Sequence, residues 1–287
     1  MPIWQPDPDE TFLSRTPIMF ATGAASAVSG MRWFRDTGRN DIQSELPGWP
    51  EGPAYAVRSA VSRGARSAGR TAVRSLGAAF LAAITGGGGV GPDIKTLGRP
   101  QDPENEVEDF PVMWAAQGTL ARTLPWQLDP ARRGDGYRTH LVVTDHRAVI
   151  VGLRDREYVE NDEYLWETDV GNITRVTPKD FSPAQRDFAI DFTDGSWCRL
   201  TSNCRADICQ YLARPLRLIK LEDLTPGQRE RVESFNAGKT SIGDPVITRL
   251  PSGNYLIEIR TSEEITVATG AVTTSEVMGP DGGNPVF

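Results

Sequence analysis

The sequence predicts an α+β chain built mainly from short antiparallel strands, and three stretches carry that prediction. In the first, Tyr137 to Val151, two strand-like runs flank an Asp145-His146 turn. In the second, Phe188, Ile190 and Phe192 alternate with Asp187, Ala189 and Asp191, the turn Thr193-Asp194-Gly195 follows, and Ser196 to Leu200 resumes strand-like composition. In the third, Ile208, Cys209, Leu212 and Leu216 form the apolar stripe of a helix that starts near Ser202 or Asn203, either of which can cap its free amides.

At 287 residues the chain can hold one large domain or two of ordinary size. A hydrophobic content of 39% with 21 Pro and 28 Gly is low for one compact core, so linker or tail is expected. The net charge of -7 argues against whole-protein nucleic-acid binding, which leaves a basic footprint. Cys198, Cys204 and Cys209 are too few and too close together for a disulfide scaffold and match no paired zinc spacing, so they read as small buried thiols in a reducing cytoplasm. The start Met1-Pro2-Ile3-Trp4 through Glu10 is acidic and proline-rich, unlike a secretory signal, and the longest apolar run, Leu76 to Ile84, falls far short of the roughly 20 residues needed to cross a bilayer.

Along the chain, residues 1–53 mix apolar patches with breakers and read as an irregular segment ending in Leu46-Pro47-Gly48-Trp49-Pro50-Glu51-Gly52-Pro53. Residues 54–85 are Ala, Arg, Ser and Val without proline and predict a long helix. At 100 degrees per residue, Arg63, Arg66, Arg70 and Arg74 share an arc of about 80 degrees, opposite Val61, Ala65, Ala68, Ala72, Ala79 and Ala83. A face of small side chains suits helix packing within the protein or an assembly, and the arginine stripe suits an acidic partner or anionic lipid. Residues 86–109 read as a linker, first Gly-rich and then acidic from Asp102 to Asp109; the glycines follow a helix and lack the lysine of a phosphate loop. Trp114, Leu120, Leu124 and Trp126 lie in a segment, Phe110 to Leu128, that supplies a first strand or a short docking helix.

Six strands are expected across the middle of the chain: Tyr137 to Thr144, Arg147 to Leu153, Tyr164 to Thr168, Ile173 to Pro178, Asp187 to Phe192 and Trp197 to Thr201. This order, closed by the helix after Ser202, resembles the bacterial pleckstrin-homology-like (PH-like, GRAM-like) domain over about residues 118–220, within a domain expected at 110–220. The most specific piece is Val143-Thr144-Asp145-His146-Arg147-Ala148-Val149-Ile150-Val151, similar to a Leu-Thr-Asp-Arg-Arg hairpin of that family. The resemblance implies two antiparallel sheets forming an open barrel or sandwich with a C-terminal helix plugging one end. It also implies a binding module whose lipid-binding members gather basic residues on the loop between the first two strands. Here Arg132, Arg133 and Arg138 surround Gly134-Asp135-Gly136, although Asp129 and Asp135 in the same loop repel phosphate.

After the domain, Thr225-Pro226-Gly227-Gln228 starts a helix running to about Asn236, and Val246 to Leu250 with Tyr255 to Arg260 predicts a hairpin, so that 221–270 is a helix-plus-hairpin extension and 271–287 a tail. Trp166 and Trp197 read as core residues, His140 as a structural strand histidine and His146 as a solvated turn residue. With two histidines, no nucleophile elbow and no metal-hydrolase motif, the sequence points to a non-enzymatic protein without cofactor or metal. The expected role is a cytoplasmic interaction or scaffold protein with a protein partner or a homo-oligomer. The alternative is a peripheral membrane adaptor that uses the arginine helix and the Arg132 to Arg138 loop against anionic lipid.

Overall fold

The computed structural model describes residues 2–22, 34–38, 40–52, 112–154, 161–179, 185–212, 217–266 and 270–285. The expected arginine helix at 54–85 and the linker at 86–109 lie outside these residues. The strands are β1 (Phe12–Pro17), β2 (Met19–Phe20), β3 (Phe34–Arg35), β4 (Met113–Trp114), β5 (Tyr137–Thr144), β6 (Arg147–Arg154), β7 (Glu163–Asp169), β8 (Ile173–Lys179), β9 (Asp187–Phe192), β10 (Trp197–Thr201), β11 (Val246–Arg249), β12 (Tyr255–Thr266) and β13 (Gly270–Met278). The α-helices among the described residues are α1 (Arg205–Leu212) and α2 (Pro226–Asn236).

Two compact units divide the chain, and each contains discontinuous segments. The first unit joins Met1–Pro17, Gly136–Gly171 and Ala206–Phe287; the second joins Ile18–Asp135 and Asn172–Arg205. The strands expected to form one PH-like barrel are thus distributed over both. Three open sheets are formed, in the orders β1-β5-β6-β7, β3-β4-β10-β9-β8 with β2 also on β10, and β11-β12-β13. Among the described residues no strand order closes on itself, and the architecture is a set of mostly antiparallel sheets with two α-helices, the strands expected in one open barrel or sandwich falling into two of these sheets.

In the first unit, β5 and β6 alternate between two faces because successive strand side chains point to opposite sides. Val142, Val149, Val151 and Leu153 share one face and cluster with Phe12, Ile242 and Ile265, while Ile3 and Trp4 pack against the same cluster. The β1 strand, unforeseen within the segment read as irregular, pairs antiparallel with β5 from Phe12↔Thr144 to Pro17↔His140 across a bulge. Its sequence Phe-Leu-Ser-Arg-Thr-Pro hides it, since all but the last residue are buried and no alternation survives.

The third sheet carries α2 on one face, with Leu224, Val232, Ile247, Ile257 and Met278 as its core. This helix begins at the expected Thr225 start with a capping box, the Thr225 and Gln228 side chains each bonding the other's amide, and a proline in the first turn. Residues 271–278, read from sequence as part of a tail, belong to β13, which starts at Gly270. Beyond it the chain returns to α2, where Gln228 Nε2 donates to the Pro280 carbonyl at 2.7 Å. On α1 the buried side chains are Ile208 and Tyr211, whereas Cys209 and Leu212, expected on the buried stripe, are half-buried.

Gly270 adopts φ of 76°, and a Cβ there would overlap the backbone carbonyl of Arg15. Only glycine tolerates both conditions. Gly270→Ala is expected to lower stability by about 1–3 kcal/mol, read as a lower urea midpoint at unchanged m-value; an unchanged midpoint would show that β1 and β13 separate at little cost.

Candidate functional site

The loop preceding β5 is where the resemblance placed a basic binding site. Asp129 is fully buried and its carboxylate receives the Ala131 amide at 2.9 Å and the Arg132 guanidinium at 2.7 Å. The Arg132 side chain is 1% exposed and lies 4.9 Å from the ring centre of Trp49 and 5.6 Å from that of Phe34. The two rings are 5.0 Å apart at their centres and lie 5.4 and 5.8 Å from the Phe20 ring. Arg132 is therefore an internal cation held between a carboxylate and aromatic faces, and Asp129 is its counterion rather than a repulsive neighbour.

The other two loop arginines have contacts of their own. Arg133 reaches Met19 Sδ at 3.9 Å in the same unit. Arg138 lies on β5 in the first unit and donates to the Tyr137 carbonyl at 3.1 Å. Arg63, Arg66, Arg70 and Arg74 fall outside the described residues.

The first unit also carries buried charge. Arg15 of β1, 1% exposed, makes a two-pronged ion pair with Asp162 at 2.6 and 2.7 Å. Its Nε donates to His140 Nδ1 at 3.1 Å, which places the imidazole proton on Nε2. Asp162 Oδ2 also accepts the Trp4 amide at 2.6 Å. A second cluster surrounds Arg147 on β6, which binds Asp7, Glu10 and Glu167 at 2.6 to 2.9 Å and lies 5.7 Å from the Trp4 ring centre. The hydrogen bond to Glu10, burial notwithstanding, raises the Arg147 pKa above its ordinary value.

A third cluster lies between α1 and β12. Arg260 donates to the Tyr211 hydroxyl at 2.5 Å, and that hydroxyl donates to Glu258 at 3.0 Å. Burial pushes both the Tyr211 hydroxyl and the Asp207 carboxyl up, with Arg260 opposing and Glu258 reinforcing the rise. None of these clusters was marked by a sequence motif. Arg15 is a single charge between apolar and hydroxyl residues, Asp162 is one of several acids in a charged hairpin, and the pairings Arg15 with Asp162 and Arg260 with Tyr211 are long-range.

On the surface, β7 carries Tyr164, which at 46% exposure is the exposed large hydrophobic side chain of the described residues. Burial of its hydroxyl and a hydrogen bond with Glu167 raise its pKa to about 12. Trp166 is half-buried and Trp197 is buried, stacked parallel to Trp114 with centres 6.2 Å apart. His140 is buried, as expected, and His146 is exposed. Of the cysteines, Cys198 is buried and its thiol pKa is pushed up by burial, while Cys204 and Cys209 are half-buried.

Among the described residues no group of three or more His, Cys, Asp and Glu side chains is placed to hold a metal ion, and no helix is long and apolar enough to cross a membrane. No protein-family model, no curated protein and no solved structure matches the chain.

Breaking one partner of a buried ion pair leaves a charge without compensation. Asp162→Asn is accordingly expected to destabilise the protein by about 3–5 kcal/mol in urea unfolding, and a loss below about 1 kcal/mol would mean that Arg15 finds another partner. In the second unit, burial works to raise the Asp194 carboxyl, but bonds from Ser196 and the Leu120 amide outweigh it and hold it below the ordinary range. A lowered carboxyl pKa adds stability above the unfolded value of about 3.9, and that stability is lost as pH falls through the folded value. Asp194→Asn is expected to be less stable than the parent at pH 7, with the difference narrowing below about pH 4; a gap independent of pH would contradict this.

Proposed function

We propose that the chain is a non-enzymatic, cytoplasmic interaction or scaffold protein whose sheets serve as a rigid platform for a protein partner. The observation that carries this reading is the placement of Arg132. The loop arginine that would lead a lipid-headgroup site is sequestered with Asp129, Trp49 and Phe34, and Arg133 and Arg138 are directed to other partners. Headgroup recognition needs several cations converging on one anion from accessible positions. Internal ion pairs, by contrast, favour a rigid scaffold, because each charge specifies one partner and one geometry. The PH-like resemblance supports the same role, since such domains are commonly docking modules.

A peripheral membrane adaptor is the second reading, favoured by the arginine periodicity of residues 63–74. Co-sedimentation with vesicles of neutral lipid and of neutral lipid plus phosphatidylserine separates the two. The platform reading expects the chain to stay in the supernatant with both at physiological salt. Salt-sensitive pelleting with the anionic vesicles, abolished when Arg63, Arg66, Arg70 and Arg74 are all changed to Glu, would overturn it in favour of the adaptor.

A further inference from the structure

We propose that the outer edge of β13 is a self-association surface, on which β13 of a second copy of this chain pairs antiparallel to form one continuous six-stranded sheet. An unpaired strand edge is a template for another strand, and proteins usually block it with proline, charge, bulges or a covering segment. The other sheet edges of the described residues carry such devices. Strand β1 has a bulge and Pro17, β7 has a bulge and exposes Glu163, Glu167 and Asp169, and β8 has a bulge and Pro178. The two-residue β3 is too short to serve as a template, and the outer side of β11 is bridged by Leu218 and Ile219.

Among the described residues, β13 from Val272 to Met278 has no proline, no bulge and no strand on its outer side, its register shift and its approach to Arg15 lying at Gly270. It spans nine residues, Gly-Ala-Val-Thr-Thr-Ser-Glu-Val-Met, and pairs without a break with β12 from Val272↔Thr261 to Met278↔Tyr255. Its one charge, Glu276, is already in an ion pair with Arg231 of α2. Thr273 and Ser275 are exposed.

The hydrogen-bond phase of the sheet shows which groups face outward. The Leu250 amide bonds the Asn254 carbonyl and the Ile242 amide bonds the Arg260 carbonyl, so the even-numbered residues of β12 bond toward β11 and the odd-numbered ones toward β13. Antiparallel partners bond in alternate pairs. On β13, residues 272, 274, 276 and 278 are therefore engaged with β12, and Thr273, Ser275 and Val277 direct their N–H and C=O groups away from it.

These constraints define the occupant and the register. Gly270 is pressed against the Arg15 carbonyl and Ala271 packs on the first core cluster, which leaves Val272 to Met278 as the accessible stretch. Its midpoint is Ser275. A two-fold axis there opposes Ser275 to Ser275, Thr273 to Val277 and Thr274 to Glu276, so that like charges never meet and each outward backbone group finds a partner. The same operation on β7, centred on Trp166, would oppose Glu163 to Asp169 and is disfavoured by repulsion.

Light scattering after size exclusion, on the full chain at tens of micromolar, tests this directly. The wild type is expected at twice 31.4 kDa. Ser275→Pro removes an outward amide without touching the β12 ladder and is expected to run at a single chain mass. Ser275→Lys and Ser275→Glu place like charges face to face and are each expected to be monomeric, with an equimolar mixture restoring the doubled mass. Far-UV circular dichroism checks that each variant is folded, and the Lys and Glu pair decides the matter if the proline variant is not. A monomeric wild type, or a dimer that all three substitutions leave intact, overturns the proposal. Either result leaves the vesicle experiment, which tests the platform reading, unaffected.

Discussion

The ion pair between Arg15 and Asp162 is the constraint on which the first unit depends. It ties β1 to the segment entering β7, engages His140 in the middle of β5, and holds the amide of Trp4 at the start of the chain. Four separate stretches of sequence thereby share one buried polar centre. Such a pair does not by itself make a protein more stable than an apolar replacement would, because desolvating two charges offsets much of their attraction. Its effect is on specificity: any arrangement that separates Arg15 from Asp162 leaves an uncompensated charge in the interior, so β1 has a single acceptable register on β5.

The same logic recurs at Arg132 and Arg260. Arg132 closes the loop before β5 by bonding Asp129 beneath two aromatic rings, and Arg260 fixes α1 on the third sheet through the Tyr211 hydroxyl. In each case a guanidinium supplies several donors in a fixed plane and stacks on an aromatic face, which lysine cannot reproduce. This accounts for basic residues that look, in the sequence, like surface binding groups but serve as internal fasteners. It also shifts attention from the charged loops to the sheet edges as the places where another chain can attach, since an edge offers backbone groups that internal pairing has not consumed.

Much of the local structure was legible in the sequence. The six middle strands, β11, the start of β12 and the capped start of α2 match the expected positions to within a residue or two, while β12 runs on to Thr266, six residues past the expected Arg260. Each is specified by contacts close in sequence: alternation on a pleated surface, a Pro-Ser-Gly-Asn turn, a Thr225–Gln228 box. The expectations that did not carry over are those that depend on distant partners. The first strand Phe12–Pro17 has no period because both its faces are buried. Ala271 to Met278 read as part of a tail because Thr-Thr-Ser-Glu lacks the apolar alternation of a half-buried strand, and its pairing with β12 is what makes it one.

What the sequence by itself determined is the antiparallel β character and the positions of most strands, because strand formation and turn chemistry are encoded within a few residues. What only the tertiary structure decided is how those strands are grouped into three open sheets, and which charges are inside. The physical reason is that burial and ion pairing are properties of two residues together: Arg15 and Asp162 are 147 positions apart, and nothing in the neighbourhood of either announces the other.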